Sequence, residues 1–398
     1  MHPPVVMVTN AVAPDKLGGL ERYVRELAAA LVRSGVETTV VAKRMSPDHP
    51  DVETGDDGVT IVRHDVPDKR RLLFAAQYPW YTRRGVRAAV RQRPGAIVHG
   101  HFPVPMLSMI PFRRRSHRPF VYTFHAPVYR ELLSERQNTY ALPRPVQRSA
   151  VSLLRRAEAA VVDRAATVTV LSEYMRRQLA LLSPRAADDA SLIPGGVDTG
   201  WFAPANDVHL PAAGTPMMFT ARRLVQRTGV AEVIAAMPAV VARHPGAELA
   251  IAGDGHLRPA IEQQIVQLGL TGKVHLLGRI SEESLRDRYR TATLTVMPTA
   301  ELEGFGLTTA ESLACGTPVL VTPVGANPEL VAGMDPRFVA RSAEATALAD
   351  AILALLDQPG VIDAARCTLP GQRVRRWSWD TVASHYIDLY ERHTRNLS

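Results

Sequence analysis

Cysteine and lysine are scarce in this 398-residue chain, and no long apolar run occurs in it. Two cysteines, Cys315 and Cys367, are too few for a disulfide framework or a four-ligand zinc site, so a reducing compartment, the cytoplasm, is expected. No stretch approaches the ~20 apolar residues that a membrane-spanning helix needs. Met1-His-Pro-Pro and the short apolar run after it lack the basic region and long apolar core of a secretory signal. There is no G-x-G-x-x-G turn, which argues against a dehydrogenase. No Asp-x-Asp stands where it could hold a divalent cation against a phosphate, and Asp188-Asp189 reads as a solvated loop pair. Nucleic-acid binding is not expected either, because no helix-turn-helix, zinc-finger or aromatic stacking pattern is visible.

Arginine is abundant. Among 47 basic residues only Lys16, Lys43, Lys69 and Lys273 are lysine, and the net charge is +8. Such a balance suits nucleic acid, an anionic membrane or phosphorylated substrates, although coding bias toward arginine produces the same composition. The charge gathers in the first half, at Lys69-Arg-Arg71, Arg83-Arg84, Arg87, Arg91, Arg93 and Arg113-Arg-Arg115, around Trp80-Tyr81. Basic residues around aromatic anchors are the composition of an interfacial helix, and a solvated helix face is the competing reading. With 46% hydrophobic and 22% charged residues, the chain is otherwise an ordinary globular one, too long for a single core.

Short apolar strands alternate with amphipathic helices, as a parallel α/β sheet requires. Val5–Thr9 is the first strand. Gly18-Gly19 opens a helix whose Val24, Leu27, Ala28 and Leu31 recur at helical spacing until Gly35. Strand-like runs at 38–42, 97–101, 120–125 and 167–172 follow, and His101 and His125 close two of them. Ligand groups collect beyond the carboxyl ends of such strands. The pattern restarts after a Pro- and Ala-rich stretch at 204–216, with strands at 217–220, 248–252, 274–277, 294–298 and 318–322. A last amphipathic helix carries Val382, Tyr386, Leu389 and Tyr390.

The densest chemistry lies in Glu303-Gly-Phe-Gly-Leu-Thr-Thr-Ala-Glu311. Gly304 and Gly306 let backbone amides approach a ligand, and residues 307–314 read as a short helix closed by Gly316. Free amides at a helix start suit a diphosphate. Glu303 before the helix and Glu311, expected two turns inside it, can accept hydrogen bonds from hydroxyls at the two ends of a sugar nucleotide.

Here the sequence resembles glycosyltransferase family 4, whose signature is two glutamates separated by seven residues with Phe-Gly after the first. Further matches occur in order: Gly18-Gly19-Leu-Glu-Arg, His99-Gly-His101, Thr123-Phe-His125, Pro194-Gly-Gly-Val-Asp198, Arg222-Arg-Leu-Val, Gly253-Asp-Gly255, Leu277-Gly-Arg279 and Ser378-Trp379. The resemblance implies a GT-B fold, with two Rossmann-like α/β domains facing each other across a cleft. Residues 1–203 would form the acceptor side and 204–376 the donor side, with 377–398 a helix returning to the first domain.

For the donor, the resemblance implicates Gly18, Gly19, Arg222, Arg223, Arg227, Arg279, Glu303, Gly304, Phe305, Gly306, Leu307 and Glu311, with the base near Arg279. His125, Glu303, Arg223 and Arg227 are the expected catalytic set, and His99, His101 and Tyr129 the expected acceptor contacts. The family has lysine before the glycine of its phosphate loop, where this chain has Thr228. Arg227 is the expected substitute, and either Arg222 or Arg223 its partner, because a guanidinium fork binds phosphate oxygens in pairs. No metal and no cofactor are expected beyond the sugar nucleotide, UDP- or GDP-linked. The implied activity is retaining transfer of a hexose-type sugar to a small-molecule acceptor, such as a natural-product, thiol or cyclitol precursor. Alternatives are a peripheral-membrane enzyme acting on a lipid or polysaccharide precursor, a GT-B sugar-nucleotide epimerase, and a basic nucleic-acid or membrane binder with a vestigial sugar site.

Overall fold

The computed structural model describes residues 2–16, 18–66, 71–110, 119–130, 144–205, 214–368 and 372–395. Lys69, Arg70 and the Arg113–Arg115 run of the basic stretch lie outside the described residues, as does most of the Pro- and Ala-rich stretch. The chain forms two compact units, Met1–Gly196 with Trp379–Ser398, and Val197–Ser378.

The first unit is built on a sheet ordered β3-β4-β2-β1-β5-β6-β7-β8. Its strands are β1 (Val5–Val8), β2 (Thr38–Lys43), β3 (Val52–Thr54), β4 (Thr60–His64), β5 (Ile97–Gly100), β6 (Phe120–Phe124), β7 (Thr167–Val170) and β8 (Ser191–Leu192). All pairings are parallel except β3 with β4. A central parallel strand is covered on both faces, so it must be apolar throughout. Val5, Val6, Met7 and Val8 are accordingly all buried. Helix α1 (Gly19–Arg33) presents Tyr23, Val24, Leu27, Ala28 and Leu31 to this core. The C-terminal helix, Trp379–Arg395, packs on α1 and buries Val382, Tyr386, Leu389 and Tyr390. Helix α2 (Arg71–Gln92) lies against β2 and β4.

The second unit is a parallel sheet ordered β11-β10-β9-β12-β13. It comprises β9 (Met217–Ala221), β10 (Glu248–Ala252), β11 (Val274–Gly278), β12 (Leu294–Met297) and β13 (Val319–Val321). Its core gathers Met218, Leu249, Ile251, Leu294, Val296 and Leu320 from the strands, with Val233, Ile234, Met237, Leu348 and Ile352 from helices. That order reverses direction at β9. The loops leaving β9 and β12 therefore meet at the carboxyl edge, where a doubly wound sheet binds its ligands. Among the described residues no single helix is long and apolar enough to cross a membrane.

The structure adds β3, β4 and β8 to the expected strands, the units divide after Gly196, and two site-related details differ as well. Asp188 ends a short helix, Pro184–Asp188, with Asp189 as its cap, so the pair is not in an irregular loop. Glu311 is the fifth residue of its helix, Leu307–Ala314, and so sits just over one turn inside, since a turn takes 3.6 residues.

Candidate active site

In the second unit the site begins with the loop after β9. Arg222, Arg223 and Leu224 leave the strand, and a short 3-10 turn, Gln226–Thr228, ends at Gly229. Gly229 has φ +70°, and a Cβ there would lie 1.7 Å from the Pro298 carbonyl oxygen. Only glycine permits both the left-handed conformation and that approach. Thr228, which stands where the expected lysine would be, is buried, and its hydroxyl turns back on the Arg223 and Val225 carbonyls at 2.7 Å. It closes the loop and contributes no charge.

Arg222 turns toward a carboxylate of the same edge. Its Nη1 donates to Glu303 Oε2 at 2.6 Å and its Nη2 to Thr299 Oγ1 at 2.9 Å. The two side chains are only 8% and 17% exposed, so the pair is little screened by water. Arg223 is exposed. Arg227 Nη1 reaches the Leu302 carbonyl at 3.3 Å, while its own carbonyl accepts from the amides of Ala300 and Glu301. Leu302 adopts φ +47°, a conformation that costs a residue with a Cβ roughly 1–2 kcal/mol. That strain sits immediately before Glu303, whose carboxylate Arg222 holds.

Gly306, at φ +94°, starts the helix Leu307–Ala314, and a Cβ there would lie 2.3 Å from Asn327 Oδ1. Asn327 accepts from Thr309 Oγ1 at 2.8 Å and donates to Thr299 at 3.1 Å. Thr299 thus ties the Arg222–Glu303 pair to the helix start. Asn327 and Thr299 were not legible as site residues, because neither belongs to a motif. Gly304 and Leu307 are partly exposed and Phe305 is buried, edge-on to Trp377. Glu311 is 3% exposed and accepts from the Tyr289 hydroxyl at 3.2 Å. Arg279 is exposed just past β11, the edge strand.

In the first unit, Gly18 and Gly19 open α1. The Glu21 carboxylate folds so closely over Gly18 that a Cβ there would meet Glu21 Oε2 at 2.2 Å, and Lys16 pairs with Glu21 at 2.7 Å. The three motif histidines form a connected group. His99 binds Tyr390 OH through Nδ1 and Thr123 Oγ1 through Nε2, both at 2.7 Å. His101 Nδ1 lies 3.1 Å from His125 Nε2. Tyr386 OH is shared by Tyr23 at 2.9 Å, Thr123 at 3.0 Å and Thr169 at 3.2 Å. Burial pushes His99 down to about 3, with the nearby His125 adding to the effect. Burial also pushes His125 down to about 3 and holds His101 well below the usual range. Each imidazole is therefore neutral near pH 7. His99 is fully enclosed, whereas His125 is partly exposed. Tyr129 is also partly exposed, 5.9 Å under the Arg155 guanidinium.

Two α/β units on mainly parallel sheets, one carrying a glycine-entered helix with a glutamate before it and another inside it, are the arrangement of GT-B glycosyltransferases. The sucrose-phosphate synthase of Thermosynechococcus elongatus superimposes over 99% of this chain and 100% of its own, with a TM-score of 0.81 at 23% identity. Two family models match in succession, Glycosyltransferase Family 4 over residues 17–201 and Glycosyl transferases group 1 over residues 204–372. The chain belongs to glycosyltransferase family 4. It is 28% identical to the phosphatidyl-myo-inositol mannosyltransferase of Mycolicibacterium smegmatis, covering 95% of this chain and 91% of that one. It is 25% identical to the D-inositol 3-phosphate glycosyltransferase of Jonesia denitrificans, covering 94% and 91%.

Proposed function

We propose that this glycosyltransferase moves a hexose-type sugar from a UDP- or GDP-linked donor to a small polar acceptor, with retention of configuration and without a metal. The observation that carries the reading is the carboxyl edge of the second sheet, where Glu303, the Gly306-entered helix and Glu311 stand beside the arginine loop. In the proposal Glu311 receives the ribose hydroxyls, Glu303 receives a sugar hydroxyl, and the helix amides with Arg223 and Arg227 meet the diphosphate. Fixed donors of this kind stabilise the charge that grows on the leaving group. Arg222 holds Glu303. The arginine loop supplies positive charge of its own, which is the role a divalent cation would otherwise fill. His125 donates a hydrogen bond to the transferred sugar, and the acceptor attacks from the face the leaving group departs. One relative is named for phosphatidyl-myo-inositol and the other for D-inositol 3-phosphate, which favours an acceptor with a phosphorylated cyclitol group, lipid-borne or free, and suits an arginine-rich chain. A cytoplasmic location follows from the same reading.

Thermal unfolding with UDP, GDP, ADP and their common hexose conjugates, with and without EDTA, tests this. A ligand that binds only the folded state raises the melting temperature. A chelator-resistant shift by one nucleotide series is expected; a shift abolished by EDTA would remove metal independence, and no shift in any series would remove the donor assignment.

One observation favours a lipid acceptor as the second reading. Trp80 is 54% exposed with Arg84 stacked 4.9 Å over its ring, and Arg87 and Arg91 continue the same exposed face of α2. Flotation with phosphatidylglycerol vesicles, lost in Trp80→Ser, would support it, and equal flotation with phosphatidylcholine would not.

A further inference from the structure

β5 and β6 run side by side, so His101 and His125, the residues that follow them, meet at the carboxyl edge of the first sheet. The 3.1 Å separation of His101 Nδ1 and His125 Nε2 is a hydrogen bond, which needs one proton between two neutral rings. Two arrangements supply it. In one, His101 donates from Nδ1, His125 accepts at Nε2 and carries its own proton on Nδ1, and His101 Nε2 is a bare lone pair. In the other, His125 donates from Nε2, and the His101 proton must sit on Nε2.

These arrangements differ in cost, because His101 is 2% exposed and its Nε2 has no hydrogen-bond partner among the described residues. The second arrangement buries an orphan N–H, and orphan buried N–H groups are rarer in folded proteins than under-used acceptors. Neighbours hold both rings in place. His99 packs on His101 with ring centroids 4.1 Å apart, and its own nitrogens are already taken by Tyr390 and Thr123. Tyr23 lies edge-on to His125 at 4.7 Å and is anchored through its hydroxyl to Tyr386.

We infer that His101 is a positioning residue that fixes His125 as the Nδ1–H tautomer, so that His125 offers its ligand a neutral N–H donor and not a lone pair. The ligand contact rests on the role proposed for His125 above; the tautomer does not. A neutral donor can bind a sugar hydroxyl or ring oxygen without adding charge to the site, and it keeps that ability across the physiological pH range.

The test is long-range proton–nitrogen correlation on the full chain labelled with 15N in histidine, at pH 7, with His125 assigned by its loss in His125→Asn. The expected result is a protonated Nδ1 and a bare Nε2 for His125. His101→Leu should abolish that preference, and His101→Asn, whose amide N–H stands near the position of Nδ1, should keep it. An Nε2–H tautomer, an imidazolium, or an unchanged His125 signature in folded His101→Leu overturns the inference. Release of nucleoside diphosphate from UDP-glucose or GDP-mannose gives a second readout. His101→Leu should lose roughly ten- to hundredfold in kcat, by analogy with the partners that orient metal-bound histidines, and His101→Asn should recover most of it. Full activity of His125→Asn alongside the expected tautomer would uphold the tautomer and strike only the ligand contact.

Discussion

Arg222 and Glu303, 81 residues apart in the chain, form a charge-assisted hydrogen bond of 2.6 Å that joins the loop after β9 to the segment after β12. Its position explains why an arginine precedes Arg223: one guanidinium orients the carboxylate, and the other stays exposed. Arg222→Ala should therefore disturb Glu303 more than it disturbs phosphate affinity. We expect a destabilisation of roughly 1.5–3 kcal/mol, the range for a hydrogen bond to a charged group, with little added loss when Glu303→Gln is already present. A double-mutant cycle by urea unfolding measures this, and additive effects of the two substitutions would contradict it.

Glu311→Gln should lower donor affinity while the fold survives, because the replacement keeps the shape and an acceptor for the Tyr289 hydroxyl. Calorimetric titration with UDP and GDP is the check. Unchanged affinity would take Glu311 out of the ribose assignment.

Tyr386→Phe removes one hydroxyl and strips a partner from Tyr23, Thr123 and Thr169 together. A loss of about 1–3 kcal/mol is expected, since buried polar groups are left incompletely paired. The matched control is Tyr390→Phe, which strips only the partner of His99 Nδ1. Thermal unfolding should show the larger drop for Tyr386.

Gly229→Ala combines a left-handed φ with a Cβ that cannot coexist with the Pro298 carbonyl. The cost should exceed ~1 kcal/mol, as for glycine replacement where the native conformation is incompatible with a side chain, and the loop holding Arg227 should shift. A melting temperature within a degree of the parent would refute the claim that this contact shapes the loop.

Acid should destabilise the first unit through His99 and His101. Their folded-state values are depressed by burial, to about 3 for His99, below an unfolded value near 6.5. Between those limits the unfolded chain binds more protons, so stability is complete above about pH 6.5 and is lost as pH falls. Each histidine contributes a slope of up to about 1.4 kcal/mol per pH unit. Urea unfolding at pH 7, 6 and 5 should show this slope, and His99→Gln should reduce it by one histidine's share, since His101, His125 and His64 are depressed by burial as well. A pH-independent midpoint would mean these rings are not neutral and buried.

Much of this molecule could be read from the order of its residues. The all-apolar β1, the helical spacing of Val24, Leu27 and Leu31, and the glycines around Phe305 each express local rules of burial and backbone freedom, and these operate over a few neighbours. They sufficed to place most of the described strands and the helix after Gly306, but not β3, β4 and β8, nor the depth of Glu311 in its helix. Tertiary structure alone decided which arginine meets Glu303, that Thr228 turns inward to close its loop, and that Leu302 is held in a left-handed conformation. It also brought Asn327 and Thr299 to the site and placed His101 against His125 beside the Tyr23–Tyr386 anchor. The reason is physical: hydrogen bonds and ion pairs depend on distances of a few ångströms between side chains far apart in sequence, and no local periodicity carries that information.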